Sequence, residues 1–136
     1  MVQLRQQNGF TLIELVVVLV LLGILGATAT VRFQDLSNEG RLVTQEAIAA
    51  EISGGSALNY AEGVLDATFT QDIDNVTNNC STIAGNLLQT GSVPSGWTVN
   101  GTVTACGTRG DTTSDCTIVD NPVTLAAINI RLLCTG

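Results

Sequence analysis

Apolar residues run almost unbroken from Phe10 to Val31, and beyond Val31 they thin to single positions among charges. At about 1.5 Å per helical residue, the first run is long enough to cross a hydrocarbon core of roughly 30 Å. Residues 10–31 are therefore expected to form a membrane-spanning helix. After it, Leu36, Gly40, Val43, Ala47, Ala50, Gly54, Ala57 and Ala61 recur at alternating four- and three-residue steps. Asp35, Glu39, Arg41, Glu46, Glu51 and Glu62 lie mostly off that seam. This period predicts an amphipathic helix over 32–62, its small-residue face packed under another layer and broadened by Ile48 and Ile52. Gly54-Gly55 costs about 1 kcal/mol per glycine relative to alanine in a helix interior, so the helix is expected to end between Ser53 and Gly63.

The remainder, 63–136, reads as a small head. Val64 to Asn79 is a polar connector, and Ser81 to Leu88 predicts a short helix capped by Ser81 or Asn79. A turn follows over Gly91-Ser92-Val93-Pro94-Ser95-Gly96. Trp97-Thr98-Val99 and Thr102-Val103-Thr104 flank Asn100-Gly101, which predicts a two-residue hairpin, because both central residues tolerate positive φ. Cys116 to Val119 is a third candidate strand, and alternation from Ile128 to Cys134 predicts a last one with a buried face. The fold class is α+β: a long N-terminal helix packed against a small C-terminal antiparallel sheet.

Charge narrows the function. The 136 residues carry a formal charge of -7, with no histidine, and no lysine occurs anywhere in the chain. So acidic a surface repels nucleic-acid phosphates, and direct nucleic-acid binding is not expected. Lacking those two residue types, and lacking a nucleophile elbow or a phosphate-binding glycine loop, the chain offers no catalytic constellation and calls for no cofactor. Asp72 and Asp74 form an Asp-x-Asp pair without the glycine turn and distal acid of a calcium loop, so a solvated acidic loop is the simpler reading. No metal site is expected.

Cys80, Cys106, Cys116 and Cys134 point to an oxidising compartment. Four cysteines allow three pairings, and we favour the nested one, Cys106 with Cys116 and Cys80 with Cys134. The inner pair would bracket Gly107 to Asp115, a polar turn-forming loop suited to an outer surface. It contains Arg109-Gly110-Asp111, a triplet that some host-cell receptors read and that arises easily by chance. Asn75-Val76-Thr77, Asn79-Cys80-Ser81 and Asn100-Gly101-Thr102 fit the N-glycosylation pattern, which is informative mainly in eukaryotic secretion.

The first apolar run holds one ionisable side chain, Glu14. An acid near a membrane-helix centre costs about 2.5–3.5 kcal/mol and calls for a partner. A cut between Gly9 and Phe10 would create one, since the new α-amine lies four residues from Glu14, on the same helix face. A polar leader with Arg5, then Gly9-Phe10-Thr11-Leu12-Ile13-Glu14-Leu15, resembles the class III signal of type IV pilins. The resemblance covers about the first third of the chain. It implies a leader over 1–9, cleavage after Gly9 by a prepilin peptidase, N-methylation of Phe10, and a docking role in assembly for Phe10 and Glu14. The finer resemblance is to pilins of the mannose-sensitive haemagglutinin (MSHA) type.

The implied product is a homopolymeric helical filament built by inner-membrane assembly machinery. It starts as an inner-membrane precursor and ends as an extracellular pilus used for attachment or motility, with a surface or host receptor as a further partner. The family's frequent proline is replaced here by Val31, leaving Gly23 and Gly26 as the points where the helix would soften. The sequence also admits a type II secretion pseudopilin, a minor pilin, a plain membrane anchor, and an ordinary secretory signal cut after Ala27-Thr28-Ala29.

Overall fold

The computed structural model describes residues 9–66, 71–74 and 79–136. The leader up to Asn8, with Arg5, and the Asn75-Val76-Thr77 pattern lie outside the described residues. In chain order the elements are α1 (Leu12–Asp66), α2 (Cys80–Leu87), β1 (Trp97–Asn100), β2 (Thr112–Asp120) and β3 (Ile128–Leu133). Met1–Glu39 and Gly40–Gly136 form two separate compact units.

In the first unit α1 is unbroken through Gly23 and Gly26. Its threonines return their hydroxyls to the helix, Thr28 to the carbonyls of Ile24 and Leu25 and Thr30 to that of Gly26. A threonine in an apolar stretch is thereby satisfied without a neighbour.

The second unit is an α+β head whose three-stranded antiparallel sheet has the order β1-β2-β3. From Gly40 on, α1 buries Gln45, Ile48, Ala49, Ile52, Ser56, Asn59 and Gly63. Ile48 and Ile52 join Ile83, Val99, Val103, Ile118, Ile130 and Leu132 in one core, each such side chain stabilising the fold by about 1.5–3 kcal/mol. The expected seam of Gly40, Val43, Ala47, Ala50, Gly54, Ala57 and Ala61 is instead exposed along the helix. The sheet takes the face that combines bulk with hydrogen-bonding side chains. Ser56 Oγ accepts the Leu133 N–H at 2.7 Å and Ser53 Oγ the Arg131 N–H at 3.3 Å. Gln45 donates to the Ile118 and Ala126 carbonyls at 2.7 and 3.0 Å. Polar helix residues thus occupy the outer edge of β3, which would otherwise show unpaired amides.

The helix also outlasts its expected end, running through Gly54-Gly55 to Asp66. Gly55 is explained by α2: a Cβ there would lie 2.6 Å from the Leu87 carbonyl oxygen. α2 begins as expected, Asn79 accepting the Ser81 N–H at 3.0 Å as its N-cap.

The expected hairpin about Asn100-Gly101 does not form. β1 pairs with β2, Trp97 opposite Asp120 and Asn100 opposite Thr117, while Thr102 bridges Asn79. Gly101 adopts φ 110°, and its carbonyl accepts the Cys80 N–H at 3.1 Å. A Cβ at Gly101 would lie 2.4 Å from the Asp115 carbonyl oxygen, so glycine serves a close backbone crossing there.

The nested disulfide scheme is likewise corrected. Cys80 bonds Cys116 and Cys106 bonds Cys134, an interleaved pattern. After Gly101 the chain buries Val103 and Cys106; Cys106 meets Cys134 just past the end of β3, and Cys116, in the middle strand, meets Cys80 at the start of α2.

Candidate assembly surface

Phe10 is 90% exposed, and no large apolar side chain from there to Val31 is less than 47% exposed. The helix carrying them has an 18-residue window of mean hydropathy 2.6, long and apolar enough to cross a membrane. Phe10, Ile13, Glu14, Val17 and Val18 share one face, as their three- and four-residue spacing requires. One carboxylate therefore stands within an apolar stripe.

Glu14 is not without contacts in the uncut chain. Its Oε2 accepts both the Thr11 N–H and the Thr11 hydroxyl at 2.9 Å, and its own N–H reaches back to Thr11 Oγ1 at 3.4 Å. This is a capping box, in which a threonine and a glutamate three residues on satisfy each other's backbone amides. Beside the α-amine expected from the sequence, Glu14 thus has a partner in Thr11, and the Thr11-x-x-Glu14 spacing is its signal in the sequence.

In the head, the loop between Cys106 and Cys116 is exposed through Asp111 but held at several points. Arg109 donates to the Gly63 carbonyl at 2.9 Å, placing a cation in the last turn of α1, where free carbonyls favour one. Asp111 accepts the Thr108 N–H at 2.8 Å and the Thr108 hydroxyl at 2.9 Å. Gly110, at φ 90°, passes so close to Tyr60 that a Cβ would lie 2.9 Å from its hydroxyl. Both charged side chains of the Arg-Gly-Asp triplet are thus engaged within the head. Of the glycosylation patterns, Asn79 is committed to capping α2, and Asn100 is exposed on β1. Among the described residues no group of three or more acids or cysteines is arranged to hold a metal ion.

Two carboxylates pin the loops. Asp115 accepts the Thr104 and Ala105 N–H groups at 2.6 and 2.9 Å and the Thr104 hydroxyl at 3.0 Å. The Thr104 amide is the main influence holding its pKa below the ordinary value, against a smaller upward push from burial. Asp120 is wholly buried. Burial pushes its pKa up, but the Thr124 hydroxyl, the Leu125 and Thr124 amides and the Arg41 guanidinium at 2.9 Å together hold it far below the usual carboxylate range. Arg41 also lies over the Trp97 ring, 6.0 Å from its centre.

Residues 4–30 match the family model for the prokaryotic N-terminal methylation motif. A 51-residue stretch is 43% identical to the type IV narrow pilus major component PilA5 of Thermus thermophilus, covering 38% of this chain and 44% of that protein. The match thus spans less than half the length of that relative. No solved structure matches the chain. The methylation motif encloses Gly9 together with Phe10 and Glu14 of the exposed stripe and Thr11 of its capping box.

Proposed function

We propose that this chain is the structural subunit of a bacterial type IV pilus, polymerising through its N-terminal helix into an extracellular filament. The observation that carries this reading is the methylation motif over residues 4–30, which from Leu12 on is helix with exposed apolar side chains. Likeness to a pilus major component over part of its length supports it. Prepilin peptidase would cut after Gly9, and the freed Phe10 amine, after methylation, would remain a cation. Inner-membrane assembly machinery would then move the helix from lipid into a bundle of like helices.

Chemically, the transfer exchanges partners at Glu14. Within one copy the carboxylate rests on Thr11; in the filament it would meet the amine of another copy. An ion pair removed from water is far stronger than one at a surface, provided both charges are paired. A copy inserted out of register would leave a charge unpaired, so the pair sets position as well as affinity. The exposed small-residue face of α1 between Gly40 and Ala61 lets other helices approach closely. We place the filament among attachment pili of the MSHA kind, with the precursor in the inner membrane.

Mass spectrometry of filaments sheared from cells tests the proposal. The expected dominant subunit begins at methylated Phe10 and is four hydrogens lighter than its reduced form. A soluble protein beginning at Thr30, or absence of the chain from filaments, would overturn it.

A further inference from the structure

The loop joining β2 to β3, Asn121-Pro122-Val123-Thr124-Leu125-Ala126-Ala127, has no charged residue. Val123 is 69% exposed, and Pro122, Ala126 and Ala127 are exposed around it. Beneath it the head is organised to hold this loop still. Asp120 accepts the Thr124 N–H at 2.9 Å, the Leu125 N–H at 3.0 Å and the Thr124 hydroxyl, while Arg41 anchors the same carboxylate. Gln45, fully buried, donates to the Ala126 carbonyl. Burying a carboxylate is costly without such partners. Here they all serve to fix an apolar projection in one shape, and a preorganised surface loses little conformational freedom when it binds.

The occupant follows from charge and apolarity. Around the rest of the head the exposed charges are mainly acidic, Glu46, Glu51, Glu62, Asp66, Asp72 and Asp111 among them. Like-charged heads repel across such surfaces, so an uncharged loop is where another copy approaches with least opposition. Every copy also carries a long exposed apolar surface, the large side chains between Leu12 and Phe33. Loop and helix are different patches, so their contact is heterologous: it forms no two-fold dimer, and it propagates as an open fibre where its rotation does not close a ring.

We propose that the Val123 loop of one copy docks on the apolar helix, within residues 12–33, of another copy. This rests on the pilus-subunit reading.

The test places photoreactive benzoylphenylalanine at position 123 of the full-length chain in filament-producing cells and maps cross-links in sheared filaments. Val123→Asp is assayed in parallel. Cross-links from 123 to residues 12–33 of another copy are expected. Val123→Asp should lose most sheared filaments while the membrane-held precursor keeps both disulfides and its melting midpoint. Cross-links to lipid or only to another head, or normal filament yield from Val123→Asp, would overturn the proposal and leave the pilus reading standing. Unmodified cells whose filaments lack this chain would overturn that reading itself.

Discussion

Asp120 and Asp115 set how the head responds to acid. Both carboxyls have pKa values below their ordinary 3.8 in the folded chain, so folding favours their charged forms. The stabilisation is fully present above the unfolded value and is lost as pH falls through the depressed folded values. We expect the urea midpoint of the head to hold steady above about pH 5 and decline below about pH 4. Asp120→Asn should lower stability at neutral pH and flatten that acid decline; an unchanged pH profile would remove Asp120 from the account. Ser56 contributes without charge. Ser56→Ala leaves the Leu133 N–H on the outer edge of β3 without its acceptor, a loss of about 1–3 kcal/mol. Equilibrium unfolding measures it directly.

Neighbouring glycines in α1 make opposite predictions. Gly54 faces open space, whereas a Cβ on Gly55 would press within 2.6 Å of the Leu87 carbonyl oxygen. Gly54→Ala should therefore stabilise the head by up to about 1 kcal/mol through helix propensity alone. Gly55→Ala should destabilise it, because α2 must shift to admit the methyl group. Thermal melts of the two variants check both signs, and equal signs would mean that α2 does not lie against Gly55. The same pair shows what the sequence can disclose about an element. Period and length make α1, α2 and β3 legible, since helix and strand repeats are local properties. Which face of α1 is buried is not local. The small-residue seam is regular, but the sheet selects the face where Ile48 and Ile52 add bulk and Gln45, Ser53 and Ser56 meet backbone groups of β2 and β3. Those partners lie some eighty residues downstream and leave no trace in the helix's own period. For the same reason Asn100-Gly101 suggests a hairpin that the pairing of β1 with β2 overrides. The expectations at Gly9, Phe10 and Glu14 rest on a linear motif, and the contact of Thr11 with Glu14 follows from a local three-residue spacing.

At the scale of the whole molecule, the interleaved disulfides brace the head, while the exposed helix carries the surface proposed for assembly. The bonded cysteines are 36 and 28 residues apart, and closing loops of that size stabilises the fold by about 3.5–4 kcal/mol each in the chain-entropy model. Non-reducing peptide maps should yield Cys80 joined to Cys116 and Cys106 joined to Cys134, and a Cys106–Cys116 peptide would restore the nested scheme. The proposed assembly turns on whether Glu14 acts through its charge or through its cap, since Thr11 and Glu14 form a capping box. Glutamine can fill the same capping position but carries no charge. Glu14→Ala and Glu14→Gln should both insert in the membrane at least as well as the natural chain, because removing an acid from a membrane helix lowers the cost of insertion. If the carboxylate pairs with another copy's amine, both variants should fail to appear in sheared filaments while accumulating normally in the membrane. If its essential role is to start the helix, Glu14→Gln should assemble and Glu14→Ala should not. Comparing precursor and filament levels for the two variants separates the roles, and normal filaments from Glu14→Gln would end the account of assembly by charge pairing.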